Sequence, residues 1–374
     1  MRNTIDSPVL TRRDLLASTA AALLAGPTLR AAQDDGPSVD RNIQRLAERA
    51  PLALQFTGST DDECRRWQQQ FSAKLRELLG PHTPPNDWHT TVEGVVDRDD
   101  HTRHELLLSA PGQPTLPVYL LLPKGQGGAP RAGVVALHGH GNFGYDPVVG
   151  KTETPGVAEA IQNAHYDYGL QLVRRGYVVA APCLQPFGRR LGDRDAYGRQ
   201  DPCAVTMVRL ALLGKVLMAE NLRDVLWALE LLARHDAVDA NRLACVGLSY
   251  GGRMTMLAAA LEPRIKAAVV SGALNVMQER ITLRYSCGAQ VIPGLLNYGD
   301  TPEIGSLIAP RPAVWEVGSD DSLVIPDRAA DFLARMRRAY RAYDADDRLQ
   351  VDRFEGGHRW NGGLAYPMLA QALS

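Results

Sequence analysis

Apolar and polar positions change period twice along the chain. In "VDRNIQRLAERAPLALQF" and "DDECRRWQQQFSAKLRELLG" the apolar residues recur at helical spacing. Trp67, Phe71, Leu75, Leu78 and Leu79 form one stripe that stops at Gly80. A proline-rich break, "GPHTPPND", follows. The next runs, "TVEGVVD", "HELLLSA" and "LPVYLLLP", are short, β-rich and separated by turn residues, which predicts an antiparallel start to a sheet. From Gly133 onward the pattern becomes apolar β runs ("GVVALHG", "YVVAAP", "LACVG", "IKAAVVSG", "AVWEVG", "LQVDRF") separated by segments long enough for crossover helices. Runs without polar alternation are buried on both faces, so a mainly parallel sheet flanked by helices is expected. "MAENLRDVLWALELLARH" is the clearest crossover helix, with Leu222, Val225, Leu226, Leu229 and Leu232 on its apolar face.

The pattern divides the chain into residues 1–32, an N-terminal helical extension over 33–85 and one α/β domain over 86–374. There is no internal repeat and no low-complexity linker. With 374 residues and 45% hydrophobic content the chain can bury a large core, and 41 basic against 42 acidic residues leave a formal net charge of -1. Such a balance lacks the basic footprint of a nucleic-acid binder, and a small or neutral ligand is expected instead. Residues 1–32 contain "TRRDLLASTAAALLAG", which joins Arg12 and Arg13 to an apolar run, Leu15 to Ala25, too short to span a bilayer.

Chemistry concentrates at "CVGLSYGGR". Gly247, Ser249 and Gly251 follow a predicted strand, and the alanine-rich "RMTMLAAALE" after them reads as a helix. A serine hydroxyl attacks only when a base removes its proton and when it projects from the scaffold. A strand-to-helix elbow satisfies the second condition, because glycines at both flanks remove side chains that would clash. One histidine, His358, lies downstream of Ser249, in the glycine-flanked loop "FEGGHRW". It is the candidate base. "WEVGSDDSLVIP" supplies the candidate acids at a strand end, Asp320 and Asp321, with Glu316 further back; turn or helix-capping duty is the alternative for the aspartates. A tetrahedral intermediate also requires backbone N–H donors. Tyr250, directly after the serine, is one candidate; "VVALHGHGN" offers His140 through its main chain, with Gly141 as the neighbouring choice. His138 and His140, two residues apart at a strand end, suit backbone positioning rather than a metal site.

The five cysteines, Cys64, Cys183, Cys203, Cys245 and Cys287, have neither the Cys-x-x-Cys nor the Cys/His spacing of a zinc site, so no metal is expected. Cys183 and Cys203 could bridge in an oxidising compartment, and Cys245 reads as a small core residue.

These residues resemble the α/β-hydrolase superfamily, and within it the dienelactone-hydrolase-like and acetyl-xylan-esterase-like bacterial branch. The resemblance rests on "LHGHGN", "GLSYGG" with "EPRIKAAVVSG", "CGAQVIPGLLNYGD", "LIAPRPAVWEVGSDD" and "GGH". It implies an α/β-hydrolase fold and hydrolysis of carboxylic esters through an acyl-enzyme. Ser249 would be the nucleophile, His358 the base and Asp321 the acid, at the acid-loop spacing after Gly318, with no cofactor. Dienelactone hydrolases use a cysteine nucleophile; Ser249 departs from them and favours ordinary ester hydrolysis. In such hydrolases the segment from Tyr145 to Arg199 would carry substrate loops. Arg189, Arg190 and Arg253 could hold an acidic or sugar-derived group or serve as solvated charges or loop staples, and Trp360 could stack on a sugar or pack beneath the histidine loop. The N-terminal arginine pair looks like a twin-arginine export signal, implying a bacterial protein, periplasmic or extracellular, without stable membrane insertion once the signal is removed. Two other readings share the motifs: a propeller-free serine peptidase of prolyl-oligopeptidase type, and a non-catalytic binding protein of the same fold.

Overall fold

The computed structural model describes residues 38–125, 128–192, 200–283 and 286–374. The expected export signal lies outside the described residues. Chain contacts separate residues 1–42 from a compact unit, 43–374; of the former, residues 38–42 are described, opening the helix Val39–Glu48.

Each predicted β run forms a strand: β1 His89–Asp97, β2 His101–Ser109, β3 Leu116–Pro123, β4 Arg131–Leu137, β5 Val178–Pro182, β6 Val238–Leu248, β7 Ile265–Ser271, β8 Ala313–Gly318 and β9 Leu349–Phe354. They make a 9-stranded sheet in the order β1-β2-β3-β5-β4-β6-β7-β8-β9. The first three strands pair antiparallel, β3 joins β5 antiparallel, and every pairing from β5 through β4 to β9 is parallel. The apolar runs of β4, β5 and β8 are buried almost throughout, because helices cover both faces. One face packs against the helices Leu217–Ala233, Tyr250–Leu261 and Pro326–Ala342, the other against Tyr168–Val173 and Ala365–Ala372.

The N-terminal stripe forms the helix Asp61–Leu79, which buries Cys64, Trp67, Phe71, Leu75 and Leu79 in the first of these cores. Its start is fixed by a capping box, in which Glu63 N–H donates to Thr60 Oγ1 and Glu63 Oε2 accepts from Thr60 N at 3.0 Å. Gly80 ends it at φ 73.

The helix Leu217–Ala233 differs from the one-faced crossover expected of its apolar stripe. Its polar positions Glu220, Asn221, Arg223 and Asp224 are buried as well. They are paired: Arg223 bridges Glu220 and Asp224, while Asp224 also takes Arg190 from the loop after β5. Burying such charges is tolerable when each finds a partner, and here the partners lie within the helix itself, with Arg190 added from the loop after β5.

Candidate active site

In a parallel sheet the carboxyl ends of the strands lie on one side, so loops distant in sequence meet there. Ser249 stands at the end of β6 with φ 62 and ψ -119, a backbone conformation that non-glycine residues seldom adopt. The surroundings over-determine it. A Cβ on Gly251 would fall 1.9 Å from Leu137 O, one on Gly247 2.4 Å from the Gly251 carbonyl, and one on Gly252 2.5 Å from Ser271 O. Glycine at all three positions is therefore what allows so tight a turn. Ser249 N donates to Ser271 O at 2.8 Å, and the serine side chain makes no cap bond to the helix Tyr250–Leu261. Ser249 is half-buried.

His358 arrives on the loop after β9. Its Nδ1 hydrogen-bonds Asp321 Oδ2 at 2.8 Å, while its Nε2 is buried with no partner among the described residues. The ring lies over Gly272, directly after Ser271: a Cβ there would be 2.6 Å from His358 Cε1. Asp321 is 5% exposed, and its other oxygen accepts from Leu323 N at 2.9 Å. Asp320 is exposed, with its backbone N–H on Gly356 O. Glu316 is spent on the histidine loop, accepting from Gly362 N at 2.6 Å and Asn361 N at 3.2 Å. Burial pushes its carboxyl up to about 7. Of the three candidate acids, Asp321 is the one bonded to His358.

The loop after β4 faces the serine. A Cβ on Gly139 would meet Ser249 Cβ at 2.9 Å, so glycine permits this approach. Gly139 N donates to Tyr166 Oη at 2.6 Å. His138 is fully buried and pins the loop to its neighbour: Leu184 N donates to Nε2 at 2.9 Å, and Nδ1 bonds Gly139 O at 2.8 Å. Desolvation lowers this imidazole to about 4. His138 thus positions backbone, as its spacing suggested. His140 follows, exposed, with its ring 5.1 Å from Phe187 and 5.2 Å from Tyr250. Tyr250 begins its helix, where first-turn N–H groups have no intrahelical acceptor. Its buried hydroxyl is held by Asn221 Nδ2 at 2.7 Å, and Asn221 also exchanges two bonds with the Gln185 backbone.

The candidate substrate residues fare differently. Arg189 is partly exposed and ion-paired with Glu93 of β1. Arg253 is 2% exposed, its guanidinium bound to the Asn275 carbonyl and side chain and to Gln290 Oε1. Desolvation lowers it to about 10. This corrects the expectation that Arg253 reaches substrate: the charge is consumed inside the fold. Trp360 is 2% exposed, stacked on Tyr168 at 4.6 Å with Nε1 donating to Tyr366 Oη, so it packs under the histidine loop rather than presenting a face to a sugar. Tyr166, Phe187, Asn221 and Asp224 were not singled out from sequence; a polar residue on a crossover helix carries no signal that its partner is a loop.

All five cysteines are free. Cys203 lies beside Cys287, not in a bridge with Cys183, whose Sγ bonds Phe187 O. His140 Nε2 is 2.7 Å from Cys287 Sγ. The hydrogen bond from Cys203, and then His140, hold the Cys287 thiol well below the ordinary thiol range, while Cys203 is pushed up.

Residues 215–284, which carry the elbow, match the prolyl oligopeptidase family. The chain is 28% identical over 292 residues to "Putative hydrolase YtaP" of Bacillus subtilis (strain 168), covering 76% of this chain and 92% of the relative. A "Putative carboxymethylenebutenolidase" of Yersinia pestis is 29% identical over 218 residues, 58% of this chain and 69% of the relative. Among solved structures, a "putative acetyl xylan esterase" from Bacteroides fragilis NCTC 9343 superposes with a TM-score of 0.74 at 15% identity, covering 91% of this chain and 97% of that one. With the strand order above, the chain has the α/β-hydrolase fold.

Proposed function

We propose that the chain is an exported serine hydrolase of carboxylic esters, of the dienelactone-hydrolase-like and acetyl-xylan-esterase-like branch. The observation that carries this reading is the Asp321–His358 bond, with the outer imidazole nitrogen buried and unpartnered among the described residues above Gly272, which directly follows Ser271, the residue whose carbonyl accepts from the strained Ser249. Ser249 Oγ attacks the ester carbonyl as His358 Nε2 takes its proton. Asp321 holds the tautomer and stabilises the imidazolium that forms. The N–H groups of Tyr250 and His140 receive the oxyanion. His358 then protonates the leaving alcohol, and water hydrolyses the acyl-enzyme with the same base. Acetyl esters of carbohydrates are the favoured class, supported by the acetyl xylan esterase among the structural neighbours. Export through the twin-arginine pathway rests on Arg12, Arg13 and the apolar run after them.

The match to the prolyl oligopeptidase family favours one second reading, a serine peptidase with the same nucleophile. p-Nitrophenyl acetate and a peptide p-nitroanilide panel, run with the full chain and Ser249→Ala, separate them. The esterase reading expects acetate hydrolysis that falls by up to about 10⁶ in the variant, with anilides untouched. Faster anilide cleavage supports the peptidase. Equal acetate hydrolysis in both proteins, or none in either, overturns the esterase reading and leaves a binding protein of the same fold.

A further inference from the structure

Beside the proposed oxyanion loop the fold gathers a donor set that no motif spacing announces. His140 Nε2, Cys203 Sγ and Cys287 Sγ all lie within 4.8 Å of one another. They come from separate segments: the loop after β4, the helix Pro202–Ala211 and the turn that leads into Gly288–Gln290. The last two are packed so closely that a Cβ on Gly288 would meet Cys203 O at 2.8 Å. Cys203 is 3% exposed, Cys287 half-buried and His140 exposed, so the set is anchored inside and open outside.

From this geometry we infer that His140, Cys203 and Cys287 form a binding site for a thiophilic divalent cation such as Zn²⁺, with a fourth position open. At Zn–S of about 2.3 Å and Zn–N of about 2.0 Å, tetrahedral ligands stand roughly 3.5–3.8 Å apart. The 4.8 Å span accommodates that arrangement, and the exposed His140 ring has to withdraw by roughly 0.8 Å from its 2.7 Å approach to Cys287. A supporting contact is already in place: Gln290 Nε2 donates to Cys287 Sγ at 3.8 Å while its Oε1 accepts from the buried Arg253. Each thiol surrenders its proton to solvent as the metal–sulfur bond forms, with no change of oxidation state. A cation so held ties two segments to the loop that carries His140, and because the folded chain presents the three donors together it binds the native state more tightly than the unfolded chain, so it raises thermal stability.

The test titrates Cd²⁺ into the full chain, first reduced with a phosphine, with free thiols counted beforehand. The expected result is a thiolate-to-cadmium charge-transfer band saturating at one equivalent, accompanied by a rise in Tm with Cd²⁺ or Zn²⁺. Cys287→Ser and Cys203→Ala should each lose the band, and His140→Ala should weaken binding at least tenfold. Cys287 and His140 are not fully buried, so those variants keep the test informative if Cys203→Ala fails to fold. A reduced protein without the band, a band that survives Cys287→Ser, or a Cys203–Cys287 disulfide resistant to the phosphine overturns the site.

Discussion

Gly272→Ala isolates the contact between the histidine ring and the sheet. The added methyl would lie 2.6 Å from His358 Cε1, 3.0 Å from Nδ1 and 3.3 Å from Leu248 Cδ1. Carbon atoms settle at about 3.5–4.0 Å, so the imidazole must retreat by roughly 1 Å. The backbone at φ +60 adds strain of about 1–2 kcal/mol for any residue with a Cβ. The fold has stability to absorb that, since the crowded group is a side chain on a loop. Catalysis does not: a 1 Å misplacement costs about 10²-fold, or about 2.7 kcal/mol in the barrier. The retreat either lengthens the 2.8 Å bond to Asp321 or swings Nε2 away from Ser249. We expect kcat/KM on p-nitrophenyl acetate to fall about 100-fold, labelling by a fluorophosphonate to slow in parallel, and Tm to drop by no more than a few degrees. The low-field proton resonance of the His–Asp bond should shift or broaden. A folded variant with kcat/KM within twofold of the parent would refute the placement of His358 against Gly272 as a condition of activity.

Asp321→Asn keeps the size of the acid but reverses the tautomer that Nδ1 requires, and should lower kcat about 10⁴-fold with little change in Tm, read by steady-state kinetics and calorimetry. Glu316 has a folded pKa raised by burial from 4.5 to about 7, so its contribution to stability is complete below about pH 4.5 and is lost as pH rises through 7. Relative to Glu316→Gln, the parent should therefore lose on the order of 3 kcal/mol between those limits, visible as a Tm difference between the two proteins that changes steadily with pH. Gly251→Ala places a methyl 1.9 Å from a backbone oxygen, Leu137 O, which cannot yield as a side chain can; we expect no soluble folded protein by circular dichroism.

Much of this was legible because period and chain order survive in sequence. Unalternating apolar runs gave the strands, and a glycine-flanked serine after one of them gave the elbow. His358 was identifiable because no other histidine follows the serine. Other residues misled for physical reasons. Arg253, four positions past Ser249, reads equally as a charge for a substrate group, a solvated charge or a loop staple, and Asn275 and Gln290 satisfy it inside the fold. The apolar stripe of Leu217–Ala233 gives no sign that Asn221 and Asp224 are buried, because the Gln185 backbone and Arg190, which they meet, lie on a loop that sequence cannot place. The cysteines gave no metal spacing because their convergence with His140 comes from three separate segments.

The glycines explain why the site was easier to name than to assemble. A parallel sheet brings the ends of β6, β8 and β9 to one edge whatever the loops contain, so the order serine, acid, histidine suffices to nominate the groups. Bringing them within reach depends instead on where side chains are missing. Gly139 lets the loop after β4 touch Ser249, Gly272 admits the imidazole, and Gly318, whose Cβ would strike Gly356 O at 2.2 Å, lets the acid loop lie on the histidine loop. A sequence shows that a glycine is present but not what it faces. The distances in this fold turn those silent positions into contacts, and each contact limits how far Ser249, His358 and Asp321 can drift apart.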